Sequence, residues 1–271
     1  MREILAPPLR AGAILFFATG LFLLILNPPS FAGLGGLLTL VVGAIAVALA
    51  VAWAVVVLTG DEESAGRPLR IARKALVDAA QGAVAAIGFE DGDGHPDHIV
   101  TARRGTSNWT LTVKGKPAHS SQIFRDDIGY GAIYEATRVL QEFRAQLAGQ
   151  KHLTFNPGMI LGGTSVEHDE AASRGTAFGK ANVIAEHAVL TGDIRALTPE
   201  QFERAQETMK KIASTPLGHT SSTLTFDEGY PPLAPTEGNA KLLAMLDKAS
   251  RELGLNPVVA VDPDRAGAAD V

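Results

Sequence analysis

The sequence predicts an α/β protein: two flanking stretches of one α/β domain, a βαββαβ sandwich inserted between them, and an apolar segment in front. Three observations carry that expectation. Strand-like and helix-like periodicities follow one another in a fixed order from about Thr106 to Asp227, strand-to-helix patterns recur on both sides of that block, and no charged residue occurs from Ala11 to Gly60. A chain of 271 residues is long enough for one large or two modest domains with real cores.

The apolar segment comes first in the chain. Ala11 to Leu26 is one continuous apolar block preceded by Arg2 and Arg10, and Phe31 to Leu58 is a second, longer than the roughly 20 residues that cross a hydrocarbon core. A hydrophobic helical hairpin over residues 1–53 places Arg2 and Arg10 on the same side as Arg67, Arg70, Arg73 and Lys74, the cytoplasmic side by the positive-inside tendency. This reading makes the lipid bilayer a partner and the membrane the location. The alternative is a signal peptide with small residues at Ser30 to Ala32 as its cleavage pattern and a periplasmic or secreted product. The second block is expected to change from membrane helix to strand near Trp53.

A first arm, residues 54–102, then reads as the buried strand Val55 to Leu58 running into a helix with Leu69, Ala72, Leu76 and Ala79 at helical spacing, followed by a turn-rich connector. The insert, residues 103–229, opens on a strand from Thr106 to Val113 that alternates Trp109, Leu111 and Val113 on one face. A helix from Asp127 to Leu147 carries Ile128, Ile133, Ala136, Leu140, Phe143 and Leu147 along one side. Two strand-like runs, His152 to Ile160 and Ala181 to Arg195, are separated by a Gly-rich loop. The helix after Thr198 has a capping box reaching to Gln201, Pro199 at its first position, and a stripe of Phe202, Ala205, Met209 and Ile212. A strand from Ser222 to Gly229 closes a β-α-β-β-α-β order, the ferredoxin-like split βαβ arrangement. A second arm, residues 230–271, supplies a helix over Asn239 to Gly254 and a strand over Asn256 to Asp262.

Composition narrows the chemistry. A net charge of −5 with no long basic run gives no electrostatic footprint for nucleic acid. The chain has no cysteine, so a transition-metal site must be built from His, Asp and Glu. In Thr59-Gly-Asp-Glu-Glu-Ser64 the pair Glu62 and Glu63 stands where a strand gives way to a helix, the rim at which α/β active sites are built. Neighbouring side chains there point in different directions, so one can bind a metal while the other acts as general base. Acids at a helix start also simply complement the helix dipole, and taken alone these could do no more.

The motifs around Glu62 and Glu63, then Gly88-Phe-Glu-Asp, Trp109 to Ser121 with its Ala-His-Ser-Ser, Asn156 to Thr164, Lys180 to Arg195 and Asp262 to Val271 occur in the order seen in the di-zinc exopeptidases. From Val55 to Val271 the chain resembles that family of aminoacylases, glutamate carboxypeptidases and succinyl-diaminopimelate desuccinylases. The resemblance implies a partial zinc-exopeptidase catalytic domain with an inserted lid and dimerisation domain, and hydrolysis of an amide bond next to a free carboxylate in a small peptide or N-acyl amino acid. It makes Glu62 the general base, Glu63 a ligand of one of two zinc ions, and Glu90 a ligand of the second, with Asp91 the second choice. It makes His119 the group that reaches the partner's active site in a homodimer and polarises the scissile carbonyl. Asn182 and the loop of Gly162 and Gly163 lie beside the substrate in the family. The lid strand Thr106 to Val113 and the helix Asp127 to Leu147 are expected at a two-fold interface. His95, His98 and His168 match nothing in the family and read as solvated loop residues.

The sequence also departs from the family's pattern. Upstream of Glu62 it has no histidine and no acid besides Glu3 and Asp61, so the family's His-x-Asp zinc motif and bridging aspartate have no counterpart, and a family histidine falls beyond Val271. Glu63 and Glu90 fill only part of a two-zinc ligand set. The lone chain is therefore expected to bind zinc weakly and to be a truncated or rearranged member without turnover. The rival expectation is a non-catalytic, membrane-anchored dimerisation or binding module.

Overall fold

The computed structural model describes residues 68–88 and 93–265. The expected hydrophobic hairpin, the strand Val55 to Leu58, and Glu62, Glu63, Glu90 and Asp91 lie outside the described residues. Among the described residues no helix is long and apolar enough to cross a membrane. The chain divides into two units, Met1–Ile87 and Gly88–Val271.

In the first unit the single expected helix is two short pieces, α1 (Leu69–Ala72) and α2 (Lys74–Ala80), parted at Arg73. Ala72, Leu76 and Ala79 share the half-covered side predicted from their spacing, but α2 buries no residue. Lys74 pairs with Asp78 one turn on, at 2.7 Å, an exposed contact that adds a few tenths of a kcal/mol, about 0.3–0.5.

The second unit holds the sandwich. Its strands are β2 (Gly105–Gly115), β3 (Thr154–Gly163), β6 (His187–Ala196) and β7 (Thr220–Phe226), ordered β3-β6-β2-β7 with every neighbour antiparallel. The helices α3 (Gly131–Leu147) and α4 (Pro199–Ala213) cover one face. In chain order this is the expected βαββαβ arrangement. Strict alternation puts Trp109, Leu111 and Val113 on the covered face, in register with Gly192, Leu190 and Ala188 of β6. Against them pack Ala136, Val139, Phe143 and Leu147 of α3 and Ala205, Met209 and Ile212 of α4. Trp109 meets Phe143 edge-on at 5.9 Å and donates its indole N–H to the Asp193 carbonyl at 3.0 Å, so its one polar atom is satisfied inside the core. Gly192 is required opposite it, since a Cβ there would run into the Trp109 ring and the Asn156 carbonyl.

The α4 cap forms as the sequence predicts, with a variation. Thr198 Oγ1 accepts the Gln201 N–H at 3.2 Å, while the Gln201 side chain reaches one residue further back, taking the Leu197 N–H at 3.1 Å. Other expectations need correction. The helix begins at Gly131, not Asp127, because Gly129 and Gly131 adopt positive φ and turn the chain into it. Its buried stripe runs through Ala132, Glu135, Ala136 and Val139, leaving Ile133 exposed. The Gly-rich loop contains a hairpin, β4 (Ser165–Asp169) paired with β5 (Arg174–Phe178). Its charged residues mask a strand alternation, and its turn is closed by Asp169 accepting the Ala172 N–H at 3.1 Å. The strand expected from Ala181 starts only at His187, since residues 182–184 pair with the loop after β2. Above all, β2 is bonded on both sides, to β6 and β7, so it cannot pair edge to edge across a two-fold axis; the sheet edges are β3 and β7.

Two linkers join the sandwich to the rest of the unit. Arg103 pairs with Leu233 and Thr106 with Tyr230, antiparallel, so the entering and leaving chains run side by side. Beyond them β1 (His98–Ile99), in what reads as a connector, pairs in parallel with β8 (Val259–Ala260), and α5 (Glu237–Glu252) lies between in sequence, capped by Thr236.

Candidate functional site

The ends of β2 and β3 and the start of β6 meet at one end of the sheet: Lys114 and Gly163 both oppose His187. The N-terminus of α3 arrives at the same place, where the Ala132 N–H bonds the Ala185 carbonyl at 2.9 Å, and a Cβ on Gly115 would stand 2.5 Å from that nitrogen. Close backbone approach at Gly115 and Gly163 ties the elements together here, so the loops that leave the junction are held at their roots.

His119 sits on one of those loops, at the N-cap of a single 3-10 turn, Ser120–Gln122. Its Nδ1 accepts the Ser121 N–H at 3.3 Å and the Ser121 hydroxyl at 2.8 Å. A nitrogen that accepts from a backbone N–H carries no proton, so the neutral ring bears its hydrogen on Nε2. The imidazole is exposed, fixed in orientation by its own turn, and has an Nε2–H free to donate. The loop is anchored by an antiparallel bridge from His119 to Val183, with the Ser120 N–H on the Asn182 carbonyl and the Ile184 N–H on the Ala118 carbonyl, both at 2.9 Å.

That bridge brings Asn182 beside His119 across 63 residues of sequence. Gly162 and Gly163 end β3 at the same junction, and each has a packing reason to be glycine. A Cβ on Gly162 would come within 2.9 Å of Ile133, and one on Gly163 would strike the Phe178 carbonyl. The structure thus gathers the four described site residues that the sequence singles out at one end of the sheet.

Next to this junction lies an exposed aromatic and aliphatic surface. Phe124 contacts Tyr130 and Tyr134 edge-on at 5.6 and 5.5 Å, and Ile133, Ile160 on the β3 edge and Phe178 are also exposed. The helical period that suggests a buried Ile133 does not distinguish this second apolar face from the core face; only the sheet's position does.

Sequence reasoning missed Glu135. It is wholly buried, yet its carboxylate accepts two bonds from Arg138 at 2.9 and 2.7 Å, the Leu217 N–H at 2.9 Å and the Ser222 hydroxyl at 2.8 Å. Burial alone would raise its pKa, but these donors outweigh it and hold it below the ordinary glutamate value. Arg138 also caps the Ile212 carbonyl at 3.0 Å, so the pair binds α3, α4 and β7 together. A glutamate flanked by Ala132, Ala136 and Val139 with arginine three residues on was the available signal.

Among the described residues no group of three or more His, Asp or Glu side chains could hold a metal. His98 bonds Asp93 at 2.7 Å and stacks on His95 at 4.3 Å, while His168 lies on β4.

The fold and junction define a class: a four-stranded antiparallel sandwich inserted between two linkers and presenting a histidine loop at one end. Residues 101–221 match the family model for the peptidase dimerisation domain. Over this segment, less than half of the chain, the resemblance read from the sequence is borne out as a likeness to the peptidase dimerisation domain. No curated protein matches the chain. Solved structures similar to it include a tripeptidase from Staphylococcus aureus (18% identity, 66% of this chain and 42% of that one, TM-score 0.45). Others are the aminopeptidase PepT from Bacillus cereus (20%, 66% and 43%, TM-score 0.47) and an aminobenzoyl-glutamate utilization protein from Klebsiella pneumoniae (19%, 62% and 40%, TM-score 0.40). The chain spans less than half the length of each.

Proposed function

We propose that the chain is a lid-bearing member of the metal-dependent exopeptidase and amidohydrolase family, whose sandwich dimerises and presents His119 to a carbonyl oxygen in the partner's site. The observation that carries this reading is the outward Nε2–H of a histidine whose other nitrogen is tied down, on a segment that matches a peptidase dimerisation domain. A preset donor of this kind stabilises charge as it develops on a carbonyl oxygen, because it need not reorganise during reaction. Asn182 and the Gly162–Gly163 end of β3 would flank the same substrate, an amide next to a free carboxylate. The dimer surface is assigned to Tyr130, Ile133 and Tyr134 with the β3 edge, since an open strand edge beside an exposed apolar face is what a two-fold contact can close.

Zinc, when bound in proteins of this family, activates water for attack on the amide. The proposed base Glu62 and ligands Glu63 and Glu90 lie outside the described residues, and the described residues offer no metal set, so only the carbonyl contact is argued from geometry. With Glu63 and Glu90 as its assigned ligands, the purified chain should bind zinc weakly and leave N-acyl amino acids and dipeptides uncleaved. Zinc titration by calorimetry and an amine-release assay test this. Zinc-dependent turnover that disappears in Glu62→Gln would overturn the expected lack of activity, and turnover insensitive to His119→Ala would remove the role given to that histidine. Membrane attachment rests on the apolar run before Gly60 alone, and is tested by whether the chain resists carbonate extraction from membranes.

A further inference from the structure

We infer that Asp264, Arg104 and His152 form a releasable latch between the sandwich and the segment that follows β8. The three residues come from separate parts of the chain: Arg104 from the entering linker, His152 from the turn between α3 and β3, and Asp264 from just past the β1–β8 pair. Asp264 Oδ1 stands 3.0 Å from His152 Nδ1 and 3.8 Å from Arg104 Nε. A carboxylate only accepts, so His152 donates through Nδ1–H. Arg104 Nη2 adds a bond to the Asp264 carbonyl at 3.3 Å, and its Nη1 bonds Thr154 Oγ1 at 3.1 Å, fastening the same guanidinium to the start of β3. A tight turn lifts Asp264 into place, with Asp262 accepting the Asp264 N–H at 3.0 Å and the Arg265 N–H at 2.9 Å.

The second observation is backbone geometry. His152 holds φ at 63°, a left-handed conformation that few residues other than glycine adopt without cost. Its ring is held in place by the Asp264 carboxylate. The contacts are polar and reach water at Asp264, which is 43% exposed, whereas the sandwich core is apolar and closed. The latch can therefore open without unfolding the sandwich. Among the described residues the paired linkers also connect the two parts through backbone, and both are tight: a Cβ on Gly105 would stand 2.5 Å from Pro232 N, and one on Gly229 would strike the Thr106 carbonyl. Opening the latch frees the segment after β8 while those linkers hold.

Amide hydrogen exchange of the full chain, read by mass spectrometry over residues 98–100 and 259–265 and over β2 and β6, tests this. Two variants serve, Asp264→Ala and His152→Gly. The second cannot fail through backbone strain, because glycine suits a φ of 63°. Both should raise exchange over 259–265 by about tenfold, as expected when one opening equilibrium shifts, with β2 and β6 unchanged. Wild-type exchange over 259–265 in either variant overturns the latch, as does an equal rise in β2 and β6, which would mean general loosening.

Discussion

The sandwich and the arm that follows it differ in how they hold their shape. In the sandwich, two helices and four strands close on Trp109, Leu111, Leu190, Phe143 and Met209, all buried, and the one buried carboxylate has four donors. In the arm, α5 buries only Ser250, its Met245 and Leu246 are exposed, and the strand pair is two residues long on each side. Polar ties do the work there instead: Asp247 accepts Arg251 Nε at 2.9 Å and the Val258 N–H at 2.9 Å, and Ser250 Oγ donates to the Asn256 carbonyl at 2.6 Å. The sandwich is built to fold by burial, and the arm is held by contacts that water can replace. A histidine meant to act at a fixed place is accordingly rooted in the first region rather than the second.

The largest expected effect breaks the sandwich from inside. Glu135→Ala strands Arg138 without its partner, and removing one member of a buried pair costs about 3–5 kcal/mol. Chemical denaturation read by the fluorescence of Trp109 would show it. The same group sets an acid limit. Its folded pKa is lowered from 4.5, so its contribution is present above that value and is lost as the pH falls through the folded pKa. In Glu135→Gln, stability should change less as the pH falls below 4.5. An unchanged slope there would show that other acids dominate.

Leu190→Ala comes next, at about 2–5 kcal/mol, because Leu190 is fully buried opposite Leu111 and the cavity cannot collapse between two helices and a sheet. Thr198→Ala removes the α4 cap and should cost about 1 kcal/mol, with Thr198→Asp close to neutral. Smallest is Met245→Ala in the arm, within about 0.5 kcal/mol, since its side chain is already in water. A cost for Met245→Ala as large as that for Leu190→Ala would erase the contrast between the two regions.

Much of the sandwich was legible because its period-2 and period-3.6 patterns are long and each has a single buried face. Trp109, Leu111 and Val113, or Ala205, Met209 and Ile212, could hardly point elsewhere. The β4–β5 hairpin was hidden by its charges, and the break at Arg73 by an apolar spacing that continues across it. Ile133 was misassigned because α3 has two apolar faces, and the central place of β2 was hidden because strand order is a long-range property that no local pattern encodes. Of the site, His119, Asn182, Gly162 and Gly163 could be named from motifs, but that they share one end of the sheet follows only from the pairing of β2, β3 and β6. Glu135, Arg104, His152 and Asp264 left little trace, since each depends on a partner far away in the chain or concealed within a helix.

The sandwich is proposed as a dimerisation module that closes over its exposed aromatic surface. Light scattering coupled to gel filtration of the full chain, at about 10 μM and in mild detergent on account of its apolar N-terminal run, tests it most directly. The expected protein mass is twice 28.4 kDa for the wild type and 28.4 kDa for Tyr134→Glu, which puts a charge on that surface without touching the core. A wild-type chain running at 28.4 kDa, or a Tyr134→Glu chain that stays dimeric, would contradict it.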